Sequence, residues 1–401
     1  MLTRFRVSNF KSLLNLEFKP MAVNLLIGPN NAGKTNLSAA LRFLGLTAER
    51  TLDAAALGSV GECWNLTNVN LRNATEMEFE TDCSLKYDNE SLLFNYKLRL
   101  KVERGNSAST GVESLSVIQE HLSVSGGYFS NTPMLKNEAG QVDMLHEEGL
   151  VRKYTNSPFY AHAKVPTSAT LLSQLYELEN NPRAVAFRRY LRTWAYYNFA
   201  PEALRTPDVL RGSKGLMSNG NNLSAVLFAL HNEKPRLERQ LIEAVQLLEP
   251  KLDLLSFNAP DPDHIYVFVE DREGHRLSAR GLSDGTMRFL AIAYVLLATQ
   301  QVHDENGVAP LIIIEEPENG LYVGHLKELL KRIDMKGSSG QFIFTTHNPY
   351  FIDLFDANIE GIHIVKAGHP SSVLNRPDSS KIKNMLDQIS LGEMHFREML
   401  G

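Results

Sequence analysis

The sequence predicts an α/β fold with two insertions, an antiparallel β lobe and a helical subdomain. Three observations support this prediction. First, a short apolar strand near the N-terminus runs through a glycine-rich loop into a helical pattern. Second, short alternating segments such as EMEFETDCSLKY follow, and helical spacing of Leu, Ala and Val comes after them. Third, the end of the chain alternates strands and helices again, which is typical of an α/β sheet.

These patterns divide the chain into four predicted segments. Residues 1–60 and 251–401 are predicted to form the two parts of the α/β domain, with 61–165 as the β-rich lobe and irregular insertion, and 166–250 as the helical subdomain. Within them, strands are predicted near residues 4–7, 23–27, 254–257, 264–269, 311–314 and 342–345, and helical stretches at 167–194, 222–248, 283–299 and 322–333. Residues 131–166 show no clear periodicity, so we expect an extended, partly irregular insertion there.

Composition excludes several classes of protein. The 401 residues carry a net charge of −5, so any contact with DNA would need a local basic face. No apolar run reaches the length of about 18 residues that a membrane span needs, and the N-terminus lacks a signal peptide, so we expect a cytoplasmic protein without a membrane partner. The two cysteines, Cys63 and Cys83, form no metal-binding pair. Two basic clusters are candidates for a DNA contact: Lys327, Lys331, Arg332 and Lys336, and Arg376, Lys381 and Lys383.

The glycine-rich segment GPNNAGKTN, residues 28–36, matches the phosphate-binding P-loop pattern and lies between a predicted strand and a predicted helix. Its glycines let backbone amides point at phosphate oxygens, and the helix adds its positive N-terminal end. Lys34 would supply charge to the β and γ phosphates, and Thr35 a hydroxyl to Mg²⁺. The loop therefore predicts ATP and Mg²⁺ as cofactors. The predicted ATP-binding residues of the loop are Gly28, Asn30, Asn31, Ala32, Gly33, Lys34, Thr35 and Asn36.

A second motif, LIIIEEPEN, places two adjacent carboxylates at the end of a buried strand. Ligands of open α/β sheets collect at this edge. In a P-loop protein, Glu315 would approach the Mg²⁺ shell, and Glu316 would orient or deprotonate the attacking water. Taken alone, the pair also fits an acidic turn after a strand.

Two further candidate motifs lie at the ends of predicted helices or strands. Ser283, Asp284 and Gly285 precede a predicted helix, with Ser283 as its N-cap. His347 follows the strand at 342–345, a position where a histidine is also often a hydrogen-bonded structural residue.

Together, the P-loop, LSDGT, IIIEEPENG and TTHNP resemble, in that order, the motifs of soluble ABC-type ATPases of the RecF, SMC and OLD-like group. The resemblance implies that Ser283, Asp284 and Gly285 form a signature motif acting on ATP held by a second protomer, and that His347 is the switch histidine. VSNFKSL resembles the N-terminal turn of that group, which implies a place near the nucleotide for Asn9, Lys11 and Ser12. WAYYNFAPEALRTP and LGEMHFREMLG resemble stretches of stand-alone bacterial AAA family ATPases of the kind found in anti-phage systems.

The chain departs from that group in two places. Tyr322 and Val323 stand where relatives have His-Pro, and the first acid of the strand end is Glu315 where transporters commonly have Asp. Gln174 is the candidate for the glutamine of the Q-loop.

These observations lead to two hypotheses of function. The first is an ATP-hydrolysing switch that closes as a homodimer, or as part of a higher oligomer, and controls a separately encoded nuclease or toxin. The resemblance implies a role in anti-phage defence. The residues after His347 lack the acidic cluster of a Toprim nuclease, which is why we expect the effector in another chain. The alternative is a RecF-like protein of repair or replication, whose ATPase would respond to DNA. A subunit of a membrane transporter fits poorly, because such subunits normally lack the large β insertion.

Overall fold

A computed structural model gives the structure of the chain. It describes residues 1–61, 66–67, 76–103, 114–127, 129–145, 147, 160–175, 181–206, 208–209, 215–261, 264–301, 309–332 and 340–400. In this part of the chain the strands form a largely parallel sheet, a large antiparallel sheet and a smaller antiparallel sheet.

The parallel sheet contains the apolar strands that the sequence predicts. Its strands, in the order in which they lie side by side, are β10 (Ala195–Tyr197), β15 (Leu311–Glu315), β16 (Gln341–Thr346), β3 (Val23–Ile27), β17 (Ile362–Lys366) and β18 (Val373–Asn375). All pair in parallel except β18, which runs antiparallel to β17. Every residue of β3, β15 and β16 is buried, as expected for strands covered on both faces.

Because these strands are parallel, their carboxyl ends lie at one edge of the sheet. Thr346 pairs with Ile27, and Glu315 pairs with Thr345, so the register also aligns these ends. The edge therefore collects the loop after Ile27, the Glu315–Glu316 pair, His347 and the residue that follows β10.

The large antiparallel sheet confirms the predicted strands of the β lobe and joins them to the N-terminal hairpin. Its strands, in lateral order, are β2 (Leu13–Phe18), β1 (Leu2–Phe10), β4 (Glu76–Tyr87), β5 (Glu90–Glu103), β6 (Ser114–Gly126), β7 (Phe129–Glu138), β8 (Gln141–Leu145) and β9 (Tyr160–Lys164). Buried and more exposed residues alternate along β4 and β5, which is the pattern of strands with one face on the core.

The irregular insertion expected at residues 131–166 is wrong for most of its described part. Residues 129–145 form β7 and β8, and residues 160–164 form β9. The alternation is hidden because the β6–β7 pairing shifts register twice and β7 contains Pro133. Pairing with β6, rather than local pattern, makes this segment a strand.

The helices pack against the parallel sheet, the large antiparallel sheet and the small sheet. Their bounds are α1 (Lys34–Thr47), α2 (Leu52–Val60), α3 (Leu171–Gln174), α4 (Pro182–Arg192), α5 (Pro201–Leu204), α6 (Leu223–Glu233), α7 (Pro235–Val245), α8 (Asp284–Gln301), α9 (Val323–Arg332), α10 (Pro349–Ile352), α11 (Ser379–Met385) and α12 (Leu391–Phe396), with a 3₁₀ segment at Asp353–Gly361. The helical stretch predicted at 222–248 is two helices, because Pro235 starts α7 and Lys234 before it is not helical. None of the described helices is long and apolar enough to cross a bilayer.

The small sheet lies next to α6 and α7. It contains β11 (Asp208–Val209), β13 (His264–Asp271) and β12 (Leu252–Asp261), with β14 (Arg276–Ser278) paired to β13. The predicted strands at 254–257 and 264–269 lie within β12 and β13.

Two hydrophobic clusters cover the two faces of the parallel sheet. Leu26, Ile313 and Ile343 belong to the cluster that includes the antiparallel sheet, α1 and α4. Their neighbours along each strand, such as Ile27 and Ile314, belong to the second cluster, which includes α7 and α8. The alternation of side chains across a strand explains this division. The parallel sheet therefore lies between these two hydrophobic clusters.

His363 on β17 is a buried titratable group in this core. Its ring packs edge-on against Phe18, with 4.8 Å between ring centroids, and its Nε2 has no hydrogen-bond partner among the described residues. Burial and nearby Arg376 lower the pKa of His363 from 6.5 to about 3. The imidazole therefore stays neutral in the folded protein, whereas it protonates below pH 6.5 in the unfolded chain.

This difference predicts acid sensitivity. Because the unfolded chain binds this proton more tightly, the free energy of unfolding falls as the pH drops from 6.5 towards 3, and we expect His363 to account for about 2 kcal/mol between pH 7 and pH 5. Denaturant unfolding at both pH values checks this prediction. Between pH 7 and pH 5, the free energy of unfolding should fall by about 2 kcal/mol less in His363→Leu than in the wild type. His369→Leu, a change at an exposed histidine, is the control and should show the same fall as the wild type. Equal losses in wild type and His363→Leu would contradict the prediction.

Candidate active site

The P-loop has the backbone geometry that phosphate binding requires. It connects β3 to α1, and Gly28, Asn31 and Gly33 have φ values of 151°, 67° and 112°. A Cβ on Gly28 would collide with the carbonyl oxygen of Val365, so only glycine fits there. Gly33 leaves the N-terminus of α1 without a side-chain cap. The amides of the first helical turn are therefore available to an anion.

Lys34 is buried within this loop. Its Nζ donates hydrogen bonds to the carbonyl oxygens of Gly28, at 2.6 Å, and Pro29, at 3.1 Å. The pKa of Lys34 is lowered, because the effect of burial is larger than the opposing effect of the nearby carboxylates. Those carboxylates are Glu316, Glu315 and Glu318. The loop cation therefore lies beside the acids at the end of β15.

Of these acids, Glu315 has one carboxylate oxygen that accepts hydrogen bonds and one that has no hydrogen-bond partner among the described residues. Its Oε2 accepts hydrogen bonds from the Tyr196 hydroxyl, at 2.9 Å, and from Asn198 Nδ2, at 3.4 Å. Its Oε1 is buried and makes no hydrogen bond within the described residues, although the hydroxyls of Thr35 and Ser38 lie beside the carboxylate. Burial raises the pKa of Glu315 above its ordinary value.

An orphaned carboxylate oxygen beside a threonine hydroxyl fits Mg²⁺, which prefers a few protein oxygens together with water and phosphate. Thr35 and Glu315 are the residues that would hold it, as the sequence predicts. When bound, the ion neutralises charge on the phosphates.

Glu316 has an unusual backbone conformation. Its φ is 43°, in the left-handed region that residues other than glycine rarely adopt. Its amide donates to the carbonyl oxygen of Thr345 at 3.0 Å. The carboxylate contacts His347 Nδ1 at 3.0 Å and accepts from Asn319 Nδ2 at 2.5 Å. Strain of this kind at the end of a strand is typical of functional sites. The structure thus brings Glu316 and His347 together.

Glu318 is a third acid at this edge, which sequence reasoning missed. It is buried, one oxygen accepts a hydrogen bond from the Thr346 hydroxyl, and the other has no partner among the described residues. Burial raises the pKa of Glu318. Its position two residues after Glu316 was the available signal, but the pattern did not show that its side chain turns inward.

The predicted signature residues lie at the exposed start of α8. Ser283 Oγ accepts a hydrogen bond from Thr286 N at 3.0 Å, which confirms the predicted N-cap. Ser283 and Asp284 are exposed. Sequence reasoning did not identify Arg205, which donates to the carbonyl oxygen of Leu282 at 2.6 Å and pairs with Asp284 at 2.5 Å. The motif is therefore held firmly at the surface.

The N-terminal turn is split between two places. Ser12 lies against the P-loop helix, since its Oγ accepts from Asn36 Nδ2 at 2.7 Å. Lys11 is half-buried near Glu315, and burial lowers its pKa. Asn9 instead is buried in the antiparallel sheet, where its amide donates to the carbonyl oxygen of Glu76. Gln174 Nε2 donates to its own helix at Thr170.

The sequence of residues 169–353 matches the family model described as "AAA domain, putative AbiEii toxin, Type IV TA system". A protein of Helicobacter pylori named "ATP/GTP phosphatase" is 24% identical over 376 residues, which is 89% of this chain and 88% of that protein. The fold is similar to that of an SMC head solved in complex with the C-terminal winged-helix domain of ScpA, with a TM-score of 0.52 and 13% identity over 96% of this chain and 99% of that chain.

The chain has the fold of a P-loop ATPase of the ABC type. The predicted fold class is confirmed by the structural similarity, which at this level of identity concerns the fold. The alignment with the Helicobacter pylori protein spans most of both chains, so the similarity is not confined to residues 169–353.

Proposed function

We propose that the protein hydrolyses ATP and is a dimerising switch that closes on two ATP molecules and controls a separately encoded effector. The observation that carries this proposal is the exposed start of α8, where Ser283 and Asp284 face solvent while Arg205 holds the loop in place. A helix N-terminus of this kind suits a phosphate presented by another molecule. In the proposed dimer, each signature motif completes the site of the partner.

In the proposed reaction, Lys34 and the P-loop amides bind the phosphates, and Glu316 orients and deprotonates the attacking water. His347, in contact with Glu316, would hold that carboxylate in place. Loss of the γ-phosphate would remove the charge that both protomers contact, so the dimer would reopen.

Complementation between two inactive variants tests the shared site. We expect Ser283→Arg and Lys34→Ala each to lose ATP hydrolysis, because the first blocks the surface that meets the partner's ATP and the second removes the P-loop charge. Mixed together, half of the dimers pair one of each and regain one intact site, so about a quarter of wild-type activity should return.

The matched control is Thr51→Arg, a change at an exposed helix cap elsewhere in the chain. It should hydrolyse ATP like the wild type. If Ser283→Arg alone is fully active at every protein concentration, the signature motif does not act across subunits. Mass measurements of Glu316→Gln with and without ATP give an independent reading of dimer formation.

Two comparisons support the effector part of the proposal. The matched family model is named for a putative toxin of a toxin–antitoxin system, and the similar SMC head was solved with a partner protein bound. Purification of tagged Glu316→Gln from its own host, with and without ATP, tests this part. A stoichiometric partner retained only with ATP would support it, and an ATPase that remains alone in both conditions would count against it.

The basic residues that the structure describes give little support to the DNA-binding alternative. Lys331 pairs with Glu328 and Lys383 pairs with Glu360, so part of the positive charge is already compensated. Lys336 lies outside the described residues. ATPase stimulation by DNA that disappears with added salt would favour the alternative.

A further inference from the structure

Tyr196 lies at the edge of the parallel sheet, next to the strand that carries the acidic pair. It is the middle residue of β10, opposite Ile313 of β15. Its hydroxyl donates to Glu315 Oε2 at 2.9 Å. In the sequence, this tyrosine stands out only as part of the stretch WAYYNF, and its position does not predict a contact with Glu315.

The tyrosine ring is itself fixed from the other side. The Arg42 guanidinium lies over the ring, 4.7 Å from its centroid. Arg42 is on α1, about two turns after Lys34, and its Nη2 donates to Ser218 Oγ at 3.0 Å. The helix that begins at the P-loop therefore also holds the tyrosine. A cation stacked on an aromatic ring contributes about 0.5–2 kcal/mol.

The hydrogen bond from Tyr196 matters because residue 315 is a glutamate and not an aspartate. Glutamate has one more rotatable bond than aspartate, so a free glutamate loses more conformational entropy when it is fixed in a single orientation. The hydrogen bond from Tyr196 fixes one oxygen of the carboxylate and leaves Oε1 buried and without a hydrogen-bond partner among the described residues. The hydroxyl of Thr35 lies beside the same carboxylate.

We propose that Tyr196 is a positioning residue that aims the free oxygen of Glu315 at the Mg²⁺ site, with Arg42 holding the tyrosine ring in place. The inference rests on the proposed role of Glu315 as a metal ligand. Residues that orient a ligand in this way typically change metal affinity 10- to 100-fold when they are altered.

The test removes a single hydroxyl. We expect Tyr196→Phe to weaken Mn²⁺ binding to the complex of protein and non-hydrolysable ATP analogue about 10-fold, measured from the EPR signal of free Mn²⁺. Nucleotide affinity in EDTA should stay at the wild-type level, and hydrolysis should recover largely at high Mg²⁺. Tyr197→Phe is the matched control, because it removes the hydroxyl of the adjacent tyrosine, which belongs to the cluster on the opposite face.

Two further variants separate the possible failures. Glu315→Gln must weaken Mn²⁺ binding strongly; if it does not, the proposed metal site itself is wrong. If Glu315→Gln weakens Mn²⁺ binding but Tyr196→Phe matches Tyr197→Phe, the positioning role is overturned while the metal site stands.

Glu315→Asp supplies a test of the contact. The shorter side chain no longer reaches Tyr196, so adding Tyr196→Phe to Glu315→Asp should change Mn²⁺ affinity less than about 2-fold. Equal effects of Tyr196→Phe in both backgrounds would show that the tyrosine does not act through Glu315. If Tyr196→Phe does not fold, Arg42→Gln serves instead, with a smaller loss of Mn²⁺ affinity as the supporting result and no loss as the opposing one.

Discussion

Glu316→Gln is expected to bind ATP at least as tightly as the wild type and to hydrolyse it at least about 100-fold more slowly, because a general base contributes about 10²–10⁴-fold. The amide has nearly the size of the carboxylate, so Asn319 and His347 can still contact it. It cannot accept a proton from the attacking water. The charge that repels the γ-phosphate is also removed, which favours the bound state.

Single-turnover hydrolysis and equilibrium binding of ATP check this prediction, together with the mass of the protein in ATP. A closed dimer should accumulate, because hydrolysis no longer reopens it. Glu360→Gln, a change at an exposed acid paired with Lys383, is the control and should behave like the wild type. If Glu316→Gln turns over within threefold of the wild type while Glu315→Gln is inactive, the roles of the two acids must be exchanged.

The second large effect is expected at Lys34. Lys34→Ala should weaken ATP binding more than about 100-fold, since three carboxylates near the P-loop would then face the phosphates without the buried ammonium. Ligand stabilisation gives a direct measurement. ATP at 100 times its wild-type Kd should stabilise the wild type by about 2.7 kcal/mol and the variant hardly at all.

The control for this change is Lys366→Ala, which removes an exposed lysine at the end of β17. It should retain the full ATP-dependent stabilisation. If Lys34→Ala keeps it as well, the nucleotide is bound elsewhere, and the P-loop assignment fails. If Lys34→Ala is unstable without ATP, Lys34→Arg provides the same comparison with the charge retained and its geometry altered.

Local motifs explain why so much of the site could be predicted. The P-loop, the acids after β15 and His347 after β16 each lie within a few residues of a buried apolar strand, so one short segment shows both the strand and its functional end. The order of these segments then indicates a common edge, because parallel strands end on the same side. Ser283 could be predicted as an N-cap for the same local reason.

Contacts between distant residues could not be predicted in this way. Tyr196 and Glu315 are 119 positions apart in the chain, and Glu318 and Thr346 are 28 apart, so no local period connects them. Asn9 also has a contact that its neighbours in sequence do not indicate. It lies close in sequence to Lys11 and Ser12, and its side-chain amide donates to the carbonyl oxygen of Glu76 on β4. Its place near the nucleotide stays a prediction.

The sequence by itself determined the fold class, the P-loop and the acidic strand end, because hydrophobic periodicity and motif chemistry are properties of contiguous residues. Only the tertiary structure decided which distant side chains contact these motifs, namely Tyr196 at Glu315 and Arg205 at the signature loop. It also decided that β1 and β2 belong to the sheet of the β lobe. The physical reason is that sheet pairing and side-chain hydrogen bonds depend on the position of distant strands, which local residue patterns do not specify.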